Sequence, residues 1–214
     1  MSFRSALVTG GASGIGAAVV RALEAESTDV RVLDLATGFD VSDPEHWETV
    51  DGADFAFLNA GVGGDSEDLA GYRRMVGVNV DGVVFGTRRM AEVMPPGGSI
   101  VATASLAGLV PMPQDPIYTL TKHAAIGYVR AVAPSLAGRG IRINVVCPGF
   151  ADTPIVSAEL REWIAEQGLP LMSAEHVAEA VLAVARSEET GQAWVVQAGR
   201  EPVRYEFRGV PGPR

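Results

Sequence analysis

S-A-L-V-T-G-G-A-S-G-I-G, residues 5–16, joins an apolar run to a glycine-rich turn, and the helical pattern G-I-G-A-A-V-V-R-A-L-E-A (14–25) continues from it. Residues 5–9 show no inside-outside alternation, so they read as a strand buried on both faces. The same unit recurs along the chain. Further strands are expected at V-R-V-L-D (30–34), F-A-F-L-N (55–59), S-I-V-A-T-A (99–104), I-R-I-N-V-V-C (141–147) and A-W-V-V-Q (193–197). Helical patterns fall at about 67–94, 116–138 and 174–187. Apolar strands separated by helices predict an α/β fold, a doubly wound parallel sheet of about six strands in one domain spanning residues 1–214. Only Leu35 to Phe39 separate Asp34 from Asp40, too few for the crossover of a dozen or more residues that a further parallel neighbour requires. The second strand is therefore expected to be a sheet edge with no helix after it, and residues 200–214 an irregular tail.

The 47% hydrophobic, 20% charged composition suits a globular chain with a substantial core. A net charge of −9 and a pI of about 4.8 make nucleic acid and anionic membranes poor partners. The single cysteine, Cys147, excludes an internal disulfide and a cysteine-rich metal site. Ending an apolar run before proline, it reads as an inert packed thiol. His46 and His176 have no plausible co-ligand in the sequence, so no metal is assigned. The N-terminus runs into glycines within ten residues and lacks a leader pattern, and no apolar stretch reaches the roughly 18 residues of a membrane span. The expectation is a cytoplasmic protein.

In 9–16 the glycines permit positive φ and close approach of a ligand, and the helix start beyond offers unpaired N–H groups to an anion. Asp34 lies 18 residues past Gly16, where a dinucleotide fold grips the adenosine ribose; its charge disfavours a 2′-phosphate and so favours NAD over NADP. Taken alone the loop leaves two readings open, a nucleotide cradle or a bare tight turn, because its G-x-x-x-G-x-G spacing departs from G-x-G-x-x-G.

Y-T-L-T-K, Tyr118 to Lys122, holds the only lysine among 17 basic residues. Asp115-Pro116 reads as a helix start, an Asp cap followed by proline at the first helical position. Tyr118 and Lys122 then share a helix face. An ammonium beside the phenol would favour the phenolate and suit the tyrosine to acid–base work on an alcohol oxygen. A surface Tyr and Lys at helical spacing would look the same.

Together these stretches resemble the short-chain dehydrogenase/reductase family from about residue 4 to 199. T-G-G-A-S-G-I-G is similar to its T-G-x-x-x-G-I-G cofactor loop, N-A-G (59–61) to the family's N-A-G, and P-G-F-A-D-T-P (148–154) to its nicotinamide loop. T-G-Q-A-W-V-V (190–196) resembles its last strand. Ser105 stands 13 residues before Tyr118, and Asn79 lies in V-N-V-D-G, both matching family positions. The resemblance implies an NAD-dependent oxidoreductase interconverting a secondary alcohol and a ketone, with Asn79, Ser105, Tyr118 and Lys122 catalytic. Tyr118 would be the general acid/base, Ser105 would hold the substrate oxygen, Lys122 would bind the nicotinamide ribose, and the Asn79 backbone would anchor a relay water. Cofactor-binding positions would be Gly10, Ser13, Gly14, Ile15, Gly16, Asp34, Leu35, Asp40, Val41, Asn59, Ala60, Gly61, Tyr118, Lys122, Pro148, Gly149 and Thr153. It also implies a homodimer or homotetramer. Ala104 and Gln197 stand where the family usually has a serine and an aspartate.

Beyond Thr153, the residues Ile155, Leu160, Trp163 and Ile164 recur at roughly helical spacing, so 155–172 is either a lid over an apolar substrate pocket or a packing helix or subunit contact. Two other functions stay open: a non-catalytic NAD-binding sensor or scaffold, and a cofactor-free lyase-type member.

Overall fold

The computed structural model describes residues 2–64 and 68–209. Its elements alternate as β1 (Ser5–Thr9), α1 (Gly14–Ala25), β2 (Asp29–Leu33), α2 (Pro44–Glu48), β3 (Phe55–Leu58), α3 (Leu69–Val76), α4 (Gly82–Val93), β4 (Ser99–Thr103), α5 (Pro116–Ala137), β5 (Arg142–Pro148), α6 (Ala158–Glu166), α7 (Ala174–Arg186), β6 (Ala193–Val196) and β7 (Val203–Arg204). The sheet order is β2-β1-β3-β4-β5-β6-β7. All neighbours are parallel except β6 and β7, which pair Trp194 with Arg204 and Val195 with Val203. This is the expected doubly wound sheet.

Successive strand residues serve two cores. Leu7, Ala56, Leu58, Ile100 and Val145 pack with α4 and α5 on one face. Ala6, Val8, Phe57, Val101 and Val146 pack with α1 and α7 on the other. Both faces are covered, so the strands need apolar residues at every position.

β2 is a sheet edge, as the short Asp34–Asp40 interval requires. Two expectations need correction. A helix does follow β2: five-residue α2, capped by Asp43 with Pro44 at its first position. Its Trp47 is buried, donates Nε1–H to the Val41 carbonyl at 2.9 Å, and sits where a Cβ on Gly86 would meet it at 2.7 Å. What is missing is the crossover to a further parallel strand, and the Trp47 plug covers that end of the core. The tail is also not wholly irregular, because β7 caps β6 and Tyr205 N–H donates to Ala193 O at 2.8 Å. Its V-P-G-P-R end (210–214), like Glu67 at the start of the expected helix 67–94, lies outside the described residues. The remainder of 67–94 is α3 and α4 joined by a π-helical turn, Gly77–Asp81, which contains Asn79. Among the described residues no helix is long and apolar enough to cross a membrane.

Candidate active site

The carboxyl ends of β1 to β5 share one edge of the sheet, and β1 lies between β2 and β3, where the winding direction reverses. Crevices at such a reversal are where open α/β sheets bind ligands. The glycine loop leaves β1 there. Gly10 and Gly14 take φ of 64° and 53°, a region that side chains disfavour. A Cβ on Gly16 would lie 2.1 Å from the Gly10 carbonyl oxygen, so this position requires glycine. Ser13 caps α1 without a side-chain hydrogen bond, and α1 carries no acidic residue in its first turn. The helix start is thus left available to an anion. Ile15, the second residue of α1, is partly buried against the core on that face.

Asp34 sits against this loop. One carboxylate oxygen accepts from Ala12 N–H at 3.0 Å and the other from Ala36 N–H at 2.9 Å. Leu35 beside it is 75% exposed. The Asp40 carboxylate accepts from Ser42 N–H and Oγ–H, and Val41 is buried with its carbonyl held by Trp47. Asp40 and Val41 thus hold the shortened segment together through Ser42 and Trp47.

Asn59 is a clamp. Its Nδ2 donates to Thr9 O (3.3 Å) and Gly10 O (3.4 Å), and its Oδ1 accepts from Thr103 Oγ1–H (3.2 Å). Its backbone N–H and that of Ala60 both donate to Thr9 Oγ1. Asn79, fully buried, bonds both backbone groups of Val62 at 2.8 Å and donates to Thr121 Oγ1 at 3.1 Å. A Cβ on Gly61 would lie 3.4 Å from both Asn79 Oδ1 and Lys122 Nζ, so these two groups are neighbours. Thr9, Thr103 and Thr121 wire the site together; Thr9 opens the T-G-G-A-S-G-I-G loop, whereas the roles of Thr103 and Thr121 are not announced by the sequence.

The α5 start is as expected. Asp115 Oδ1 accepts from Tyr118 N–H at 2.8 Å, while its Oδ2 accepts from Gly64 N–H at 3.0 Å, joining the helix to the loop after β3. Lys122 is buried; its Nζ donates to Thr103 O at 3.1 Å and lies 5.4 Å from the centre of the Tyr118 ring. Ser105 starts the turn after β4, with Oγ accepting from Ala107 N–H at 3.1 Å. Pro148 ends β5, and Gly149 N–H continues the ladder to Val196 O.

The electrostatics correct one expectation. Burial pushes the Tyr118 phenol up to about 12; Ser105, placed to hydrogen-bond it, pulls the other way, and the Asp115 carboxylate adds to the rise. Burial therefore outweighs any help from the ammonium, which is turned toward Thr103. Burial also lowers Lys122 to about 8, against an opposing influence from Cys147. The Cys147 thiol is itself raised to about 12 by burial and is fully enclosed, the packed thiol expected.

These shifts set a pH dependence of stability. Lys122 is lowered from 10.5 to about 8, so between those values the unfolded chain holds a proton that the folded chain has released. Stability then rises with pH across that window, by about 3 kcal/mol. Tyr118, raised from 10.0 to about 12, and Cys147, raised from 9.0 to about 12, make stability fall with pH between those values, so Cys147 offsets the Lys122 rise above pH 9. Thermal melts should show the rise from pH 8 to 9, and Lys122→Met should flatten it. Parallel curves for the two proteins would contradict the assignment.

The last site segment leans on the first. A Cβ on Gly14 would meet Thr153 Cβ and Cγ2 at 3.2 Å, and one on Gly63 would meet Ile155 Cγ1 at 3.5 Å and Tyr118 Cδ2 at 3.8 Å. The 153–155 stretch thus narrows the crevice. Two open hollows, of about 290 and 470 Å3, lie instead at the C-terminal tail against β6 and Arg130. The structure brings the glycine loop, Asp34, Asn59 to Gly61, Ser105, Tyr118, Lys122 and Thr153 to one sheet edge. Glycine positions with no room for a side chain, a helix start free of acidic side chains and a carboxylate against the loop fit a dinucleotide.

A family model described as enoyl-(acyl carrier protein) reductase matches residues 39–201. The chain is similar to 15-hydroxyprostaglandin dehydrogenase [NAD(+)] of Mus musculus, 32% identical over 73% of this chain and 71% of that protein. It is also similar to the mitochondrial borneol dehydrogenase of Lavandula x intermedia, 31% identical over 86% and 83% respectively. A short-chain dehydrogenase from Burkholderia cenocepacia J2315, solved in complex with NADP, superposes with a TM-score of 0.75 at 26% identity, covering 91% of this chain and 96% of that one. With the glycine loop, Ser105, Tyr118 and Lys122 gathered at the sheet edge, these likenesses place the chain in the short-chain dehydrogenase/reductase family.

Proposed function

We propose that this protein is an NAD-dependent oxidoreductase that interconverts a secondary alcohol and a ketone. The observation that carries the reading is the convergence of Ser105, Tyr118 and Lys122 beside the glycine loop. When bound, the oxidised nicotinamide supplies the hydride acceptor and a positive charge. Tyr118 takes the hydroxyl proton of the alcohol, and in the reverse direction its neutral, enclosed phenol donates one to the ketone. Ser105 hydrogen-bonds the substrate oxygen. Lys122 holds the ribose and hands protons outward past Asn79, its neighbour across Gly61. A guanidinium fork would not fit where Lys122 Nζ stands, between Thr103 O, Gly61 and the Tyr118 ring, which accounts for the lone lysine.

The NAD preference rests on Asp34, whose carboxylate faces the loop with no compensating cation at 10–16 or 35–41. The mouse relative is named for NAD(+), whereas the Burkholderia structure holds NADP. Fluorescence titration should give a dissociation constant for NADH about ten-fold or more below that for NADPH, from carboxylate–phosphate repulsion. Equal affinities would remove the preference, and binding of neither would favour cofactor-free chemistry. The protein acts in the cytoplasm as a homodimer or homotetramer. Exposed Leu69 and Tyr72 on α3 and Leu120 on α5, two helices that pack together, support a subunit contact there.

A further inference from the structure

Between β5 and α7 the chain makes an excursion whose ends are pinned. Asp152 N–H donates to Met172 O at 2.7 Å, Met172 N–H donates to Phe150 O at 2.8 Å, and Ala151 and Met172 form an isolated parallel bridge. Helix α6 lies within the excursion. Ser157 caps it, Ile164 is buried, and Trp163 sets its edge against Phe150 at 6.1 Å. From this helix Arg161 reaches back to the start of the excursion. One terminal nitrogen pairs with the Asp152 carboxylate, and the other donates to Thr153 O at 3.1 Å.

The residues that Arg161 grips adjoin the reaction site. Thr153 is buried against Gly14 of the glycine loop, Pro154 Cδ comes within 3.6 Å of the same point, and Ile155 lies with Tyr118 beside Gly63. Three consecutive residues thus contact both walls of the crevice, while the guanidinium ties them to α6. We propose that Arg161 is a positioning residue that sets residues 153–155 against the cofactor loop, coupling the seating of α6 to the hold on the dinucleotide. Arg161 itself contacts neither the glycine loop nor Tyr118. The proposal rests on the dehydrogenase reading above. A planar fork suits the task because the carboxylate and the carbonyl are separate acceptors, and an ammonium has one point of charge to offer.

The test uses full-length wild type, Arg161→Ala, Arg161→Lys and, on the same helix, Glu162→Ala. Arg161→Ala should raise the NADH dissociation constant about ten-fold and Arg161→Lys about three-fold, from the loss of both or one of the charge-assisted bonds. Glu162→Ala should match wild type. Turnover at saturating cofactor should stay within about two-fold for all four, because the interaction orients and does not react. Without cofactor, limited proteolysis within 155–170 should be faster in Arg161→Ala, and added NADH should slow it less than in wild type. Wild-type affinity for NADH in Arg161→Ala would overturn the coupling alone. Failure of the wild type to bind either NADH or NADPH would instead remove the dehydrogenase reading on which the coupling rests.

Discussion

Tyr118→Phe is expected to lower alcohol oxidation by about 10³-fold or more while leaving the NADH dissociation constant within about three-fold of wild type. The phenyl ring keeps the packing beside Gly63 and Ile155, so the crevice wall survives. What disappears is the hydroxyl that exchanges a proton with the substrate oxygen. Neither neighbour is suited to replace it: Ser105 is an unactivated hydroxyl, and the Lys122 ammonium is turned toward Thr103 O, with the ribose as its proposed partner. Loss of the hydroxyl and its Ser105 hydrogen bond is expected to cost only about 1 kcal/mol of stability. Steady-state rates, NADH titration and a thermal melt on one preparation check all three statements. A variant with wild-type rate would show that Tyr118 is a wall residue and not the acid–base group.

Gly16→Ala is expected to have the largest effect outside the reacting groups. The added Cβ would lie 2.1 Å from Gly10 O, 2.8 Å from Gly10 C and 2.9 Å from Asn59 Nδ2. Two of these atoms are backbone in a turn already fixed by positive φ at Gly10, so the loop or α1 must move. Movement would break the Asn59 clamp on Thr9 and Gly10. We expect a loss of about 2–4 kcal/mol in stability and about 100-fold in NADH affinity. Gly127→Ala in α5 is the matched control, because a Cβ there meets nothing within 4 Å. It should be neutral or stabilising by up to about 1 kcal/mol, the ordinary gain of alanine over glycine in a helix. Denaturant unfolding of both variants separates steric conflict from helix propensity. Equal effects would contradict the clash.

The sequence made some of this architecture legible for definite reasons. Residues 5–25 combine a buried strand, a glycine turn and a helix within 21 positions, each with its own local chemistry, and the structure forms them at the expected bounds. The edge position of β2 followed from chain length alone, since a handful of residues cannot cross a sheet. Asp115-Pro116 announced α5 through capping chemistry that needs no tertiary partner. Other features depend on distant contacts and left no local trace. Five-residue α2 is too short for periodicity and owes its place to Trp47 packing on Gly86. β7 has two residues and exists through its pairing with β6. The π turn at Asn79 is explained by that side chain bonding Val62 and Thr121, a partnership across 17 and 42 residues. Spacing placed Tyr118 and Lys122 on one face, but spacing carries no information on burial. The direction of both pKa shifts was therefore invisible until the surroundings were known.

The central claim is that a phenol and an ammonium at the crevice carry out reversible alcohol oxidation with a bound nicotinamide. It is tested most directly by following NADH formation by wild-type protein with NAD and a panel of cyclic and open-chain secondary alcohols. The account predicts clear turnover with at least one alcohol, and reversal when the matching ketone and NADH are supplied. Tight NADH binding with no turnover above background across the whole panel would contradict it, leaving a protein that holds the dinucleotide without using it.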